Sequence, residues 1–130
     1  MTLDPDLVRN ILIEIEKQPP QPQPLNRVTK WYQVTFEGRS KEEISEHVRL
    51  MVEARLIEAY KKPEEGGLFW YPIRMTWHGH QYLDSVRADT VYAKTKEIAS
   101  KAFGTVTMET IKVAIPLALQ ALLKSQGFVP

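Results

Sequence analysis

The chain has 130 residues, 43% of them hydrophobic and 25% charged, with no cysteine and a formal net charge of +1. That length and apolar share supply one core without staples, and the missing cysteines exclude a disulfide framework, a thiolate nucleophile and a cysteine zinc site. The near-zero charge removes the simplest signature of a nucleic-acid binder, a strongly basic domain, although residues 41–86 hold six Lys/Arg against eight Asp/Glu and residues 87–130 hold six against three.

In chain order, Asp4 followed by Pro5 reads as an N-cap with proline at the first helical position. Leu7, Val8, Ile11, Leu12 and Ile15 recur at helical spacing and form one inward stripe, and the helix stops at Pro19. The run from Gln18 to Pro24, inside a proline-rich linker at 18–30, favours extended geometry. Pro19 and Pro22 make a PxxP pattern, but the basic residue that orients such ligands is missing, so a spacer is expected.

Trp31 to Phe36 alternates like a half-buried strand. Ser40 to Glu43 reads as a capping box that opens a second helix at Lys41, with Ile44, Val48, Met51 and Val52 inward. Leu56–Lys62 and Leu68–Met75 are expected to form a hairpin joined by residues 63–67, with Pro72 marking an edge or strand end. Thr76 is the next N-cap. Asp89 is expected to cap a helix from Thr90 to Phe103 that Gly104 closes, and Thr107 to cap the last helix, Met108 to about Ser125.

The order helix, strand, helix, hairpin, helix is that of a winged helix. Glu46 to Ile57 (EHVRLMVEARLI) resembles a recognition helix running into its wing, and Arg74 to Leu83 (RMTWHGHQYL) resembles the LTxxGxxxL segment that follows the wing in bacterial regulators. With Asp4–Glu16 and Asp84–Lys96, the string resembles a family of uncharacterised bacterial and phage proteins, domain-of-unknown-function family 2513. The resemblance implies an α+β fold: a winged-helix-like core, with helices on a small three-stranded antiparallel sheet, and additional C-terminal helices. The expected division is 1–103 for the core and 104–130 for a helical extension. Two departures from the pattern stand out. Between Lys17 and Ser40 a proline run and a strand replace the positioning helix, and Arg55 stands where the pattern has glycine.

The fold analogy points to a DNA-associated regulatory protein of bacterial or phage origin; the alternative is a non-catalytic interaction or assembly module that keeps the core without reading DNA. The presumptive recognition face, Glu42, Ser45, Glu46, Arg49 and Glu53, is acidic and repels phosphate. Candidate nucleic-acid contacts are Arg39, Lys41, Arg49, Lys61 and Lys62. His80 and Asp84 have helical metal-pair spacing but make only half a site, and His47 reads as a partly buried structural histidine. No nucleophile elbow or phosphate loop is present, so no enzyme, cofactor, metal or small-molecule substrate is expected. The aromatics Trp31, Trp70, Tyr71 and Trp77 cluster around the strands, and sheet packing is preferred over base stacking for them.

In the last helix, Glu109, Lys112, Pro116, Gln120 and Lys124 form a narrow polar stripe. The wide apolar remainder implies a homodimer through Ile111, Ile115, Ala118, Leu119 and Leu122. Asp4 and Asp6 replace the cations of a signal peptide, and the longest apolar run, Val113–Leu123, is short for a membrane span; a cytoplasmic location without a membrane is the expectation.

Overall fold

The computed structural model describes residues 3–18, 31 and 34–127. Among these the order is α1 (Pro5–Glu16), α2 (Lys41–Glu53), β1 (Ile57–Glu64), β2 (Gly67–Met75), α3 (Trp77–Val86), α4 (Asp89–Phe103) and α5 (Met108–Ser125), an α+β arrangement of five helices and one antiparallel hairpin. The chain forms two compact units, Asp6–Leu83 and a second made of Met1–Pro5 with Asp84–Pro130. The boundary expected at residue 103 lies inside the second unit, because α4 and α5 pack on one another.

In the first unit, α1 begins at Pro5, and all five stripe residues, Leu7, Val8, Ile11, Leu12 and Ile15, are buried. The linker residues 19–30, and with them the place of the missing positioning helix, lie outside the described residues. The start of α2 is fixed by Ser40, whose Oγ accepts from the Glu43 amide at 3.1 Å. The reciprocal half of the expected capping box is replaced. Glu43 accepts from Arg39 Nη1 at 3.2 Å, since a guanidinium four residues upstream is a stronger partner for a carboxylate than a neutral amide.

α2 ends in a Schellman turn: the Leu56 amide donates to the Met51 carbonyl and the Arg55 amide to the Val52 carbonyl, both at 3.0 Å. This geometry needs a left-handed residue, and Arg55 adopts φ 63° there without being glycine. The departure seen in the sequence is therefore absorbed as local backbone strain. Thr76 helps hold the turn by donating its hydroxyl to the Arg55 carbonyl at 2.5 Å, and its amide donates to the Leu56 carbonyl at 3.0 Å.

The hairpin is longer than expected. Its ladder continues through Pro63↔Leu68 to Glu64↔Gly67, which leaves only Glu65 and Gly66 in the turn, with Gly66 at φ 100°. Pro72 pairs with Ala59 where the register slips between Glu58 and Ala59, a bulge that accommodates a residue unable to donate.

Among the described residues the sheet has two strands rather than the expected three. Trp31 sits in a short turn, with its carbonyl accepting from the Val34 amide at 2.9 Å, and Val34, Thr35 and Phe36 join no ladder; Tyr32 and Gln33 lie outside the described residues. A third strand on β2 requires the outward amide of Trp70. That amide donates to Ser45 Oγ at 2.8 Å, so a side chain of α2 occupies the edge where the strand was expected.

α3 starts at Trp77 behind Thr76, whose Oγ accepts from the Gly79 amide at 3.1 Å. In the second unit α4 begins one residue early: Ala88 holds the cap position without a side-chain bond, and Asp89 lies in the first turn, where its charge still favours the helix dipole. Gly104 closes α4 at φ 74°, and Thr107 with Thr110 forms a reciprocal capping box on α5. α4 and α5 turn by 113° at their junction, and no single helix among the described residues is long and apolar enough to cross a membrane.

Candidate binding cleft at the start of α2

The outward face of α2 is the surface that a winged helix presents to DNA, and its chemistry is fixed by helical spacing. Glu46, Arg49 and Glu53 stand three and four residues apart, the separation at which side chains on one helix meet. Arg49 donates from Nε to Glu46 Oε2 at 3.0 Å, from Nη2 to Glu46 Oε1, and from Nη1 to Glu53 Oε1 at 3.3 Å. The bond to Glu46 raises the guanidinium pKa further and holds the Glu46 carboxyl below the ordinary range. Ser45, assigned to this face from the sequence, is instead buried and committed to Trp70.

A different surface gathers aromatic and cationic groups. Where the N-terminal end of α2 meets β2 and the segment 31–39, a cavity of about 280 Å³ is lined by Trp31, Val34, Thr35, Phe36, Arg39, Lys41, Ile44, Ser45, Phe69, Trp70 and Tyr71. Trp31 and Phe69 are buried, and the Trp31 and Phe36 rings meet at 5.9 Å. Trp70 and Tyr71 are half-buried. Among the described residues no carboxylate lines the space.

The cations at this cleft are tethered from outside it. Arg39 is held by Glu43, while Lys41 Nζ lies 2.5 Å from Glu64 Oε1 and 4.3 Å from the Phe69 ring centre. Tyr71 donates its hydroxyl to Glu64 Oε2. The bond from Lys41, then that from Tyr71, keeps the Glu64 carboxyl below its ordinary pKa, and the same pair raises the Lys41 ammonium. The Tyr71 phenol is raised, first by burial and then by its bond to Glu64.

Of the candidate nucleic-acid contacts, the structure brings Arg39 and Lys41 together at this cleft. Lys61 pairs with Trp70 across the hairpin, with Nζ 5.9 Å from the ring centre, and both side chains point to the face opposite Phe69 and Tyr71. Lys62 is exposed, pairs with Phe69 and shares the face on which Lys41 meets Glu64. Arg49 lies eight residues beyond Lys41, about 12 Å along the helix, in its carboxylate clasp. Sequence reasoning missed the cleft because it treated the strand aromatics as packing, which is what Trp31 and Phe69 do. The available signal was two cations, Arg39 and Lys41, directly following the aromatic segment. Trp77 takes no part and is 72% exposed on α3.

His47 is buried with Nδ1 3.0 Å from the Glu43 carbonyl, and His78 and His80 are exposed. Asp84 accepts from Arg87 at 2.6 Å, and among the described residues no three His, Asp or Glu side chains gather as a metal site. On α5 the polar stripe is exposed throughout, whereas Ile111 and Ala118 are fully buried within the single chain. Ile115 and Leu122 are partly buried and Leu119 is 43% exposed, so these five residues do not share one outward surface.

With this geometry in view, the family described as Hypothetical protein (DUF2513) has a model that matches residues 2–123. The chain belongs to this family. A Haemophilus influenzae strain Rd relative, an uncharacterized protein, is 30% identical over 107 residues, covering 82% of this chain and 86% of its own. No solved structure matches. The DUF2513 match runs from before α1 to Leu123 in α5, so the cleft and the hairpin lie within the region that defines the family.

Proposed function

We propose that this DUF2513 protein is a non-catalytic binding module with a winged-helix-like core whose α2 does not read DNA. The order α1, α2, β1, β2, α3 supports the winged-helix part of the reading. The observation that carries the rest is the clasp on Arg49: the one cation on the outward face of α2 spends Nε, Nη1 and Nη2 on Glu46 and Glu53. Phosphate contacts supply most non-specific affinity for DNA, and a phosphate approaching this face meets carboxylates first. The cleft supports a binding role rather than a catalytic one. Among the described residues its lining offers cations, a committed serine and aromatic faces, with neither a carboxylate nor an imidazole to act as a base.

A second reading, a DNA-associated regulator, is favoured by Lys61 and Lys62, two adjacent exposed cations on the hairpin that a winged helix uses as its wing. One titration separates the two. In fluorescence anisotropy with mixed-sequence duplex DNA across salt, binding is expected to be micromolar or weaker and to fall steeply with salt. Any residual binding is expected to vanish when Lys61 and Lys62 are both changed to Glu. Nanomolar, sequence-specific binding by the purified protein at physiological salt contradicts the reading.

A further inference from the structure

Among the described residues the cleft combines aromatic side chains with two cations and no carboxylate, a lining that selects for a ligand both flat and anionic. We propose that it is a binding site for a nucleobase carrying a phosphate, with the base against Tyr71 and Phe36 and the phosphate on Arg39 and Lys41. The inference goes beyond the reading of α2, because none of these residues belongs to the Glu46–Arg49–Glu53 face.

Three observations converge on this ligand class. The volume, about 280 Å³, lies just below the usual range for small-molecule sites, so the space suits at most one nucleotide-sized group rather than a folded partner. The walls are the right kind: every base has a π-face, and Phe36 and Tyr71 are half-buried, Tyr71 with one face stacked on Tyr60 at 5.6 Å. The charge also fits. A neutral aromatic ligand would cover Arg39 and Lys41 without offering them a second acceptor, and a small acid without a ring would leave the aromatic walls empty.

The existing ion pairs differ from the clasp on Arg49 in the donors they take. Glu43 holds Arg39 through Nη1 and Glu64 holds Lys41 through one ammonium hydrogen, whereas Arg49 is held through Nε, Nη1 and Nη2. A phosphate in the cleft offers both cations a second acceptor. Lys62, paired with Phe69 across the hairpin, adds a third positive charge on the Tyr71 face.

The chemistry is shared by a free mononucleotide and by one base of a single strand, and titration calorimetry on the full chain separates them. The probes are adenosine 5′-monophosphate, adenosine, inorganic phosphate and a short single-stranded oligo(dA). Saturable binding of the monophosphate is expected, at least roughly tenfold tighter than adenosine or phosphate alone, because stacking and charge contribute together. Equal affinity for monophosphate and oligonucleotide identifies the free nucleotide as the source; a tighter, steeply salt-dependent oligonucleotide identifies the strand. Tyr71→Ala is expected to weaken binding roughly tenfold and Tyr71→Phe to retain most of it. Lys41→Gln, at an exposed position that keeps the test open if Tyr71→Ala fails to fold, is expected to erase the preference for the monophosphate over adenosine. Arg49→Gln is expected to change nothing, which separates this site from the α2 face. The proposal is overturned if neither the monophosphate nor the oligonucleotide saturates at millimolar concentration, or if the preference survives in Lys41→Gln.

Discussion

Gly79→Ala is expected to destabilise the Asp6–Leu83 unit by about 3 kcal/mol, a loss that moves the urea midpoint by roughly 1.5–2 M. A Cβ at this position falls 2.0 Å from the Leu56 carbonyl oxygen and 2.6 Å from Met75 Cγ. The methionine can move, but the carbonyl cannot without cost. Leu56 O already accepts the Thr76 amide at 3.0 Å, and Leu56 follows the strained Arg55 at the end of α2. The first turn of α3 must therefore withdraw from the start of β1, which breaks the Thr76 bonds that join the two. Overpacking of this kind costs about 1–3 kcal/mol, and the lost hydrogen bonds add about 1 each.

Two substitutions nearby in kind but opposite in consequence serve as controls. At Gly104 a Cβ meets nothing within 4 Å, so Gly104→Ala costs only the left-handed strain at φ 74°, about 1 kcal/mol. Arg55→Gly relieves such strain at φ 63° and is expected to stabilise by about 0.5–1 kcal/mol. Equal losses at Gly79 and Gly104 would contradict the close-approach account.

Met51→Ala is the second large effect, with an expected cost of about 2–5 kcal/mol in urea or thermal unfolding. Met51 is fully buried on α2, the helix that packs on both strands of the hairpin, and its carbonyl anchors the Schellman turn. Truncation leaves a cavity where α2 runs into β1 through Ala54, Arg55 and Leu56. Met51→Leu, nearly conserving volume, is expected to cost under about 1.5 kcal/mol. A similar loss for both would place the effect in the helix itself rather than in packing.

Local signals made most of the fold legible. The α1 stripe, the Ser40 cap, the Gly104 stop and the Thr107 cap each act within a few residues, and each holds in the structure. What failed depended on distant competition. Val34–Phe36 has a strand pattern, but whether it pairs is decided by who reaches the Trp70 amide first, and Ser45, twenty-five residues away in sequence, does. The same serine was placed on the solvent face because periodicity marks polar residues as outward. Asking where the outer amides of a two-stranded sheet find acceptors would have recovered it. Glu43 was lost to Arg39 for a similar reason, a stronger partner outside the motif.

The candidate contacts were legible as residues but not as a site. Charge marks Arg39 and Lys41, and ring chemistry marks Trp31 and Tyr71, yet their convergence depends on the approach of α2 to β2 that the Ser45 bond fixes, while Lys61 and the Trp70 ring share the other face of the hairpin. Arg49 shows the reverse: its charge was legible, and its clasp between Glu46 and Glu53 follows from i,i+3 and i,i+4 spacing that the sequence already contains.

The account places binding at the cleft and none along the outward face of α2. The most direct measurement is a backbone amide and indole NMR titration of the full chain with a single-stranded oligonucleotide, followed by the duplex of the same sequence. The account predicts that the single strand shifts the Trp31 indole and the amides of Lys41, Phe69 and Tyr71, while Glu46, Arg49 and Glu53 stay in place with either ligand. Saturable shifts running along Glu42, Glu46, Arg49 and Glu53 with the duplex, and none at the cleft, would contradict it.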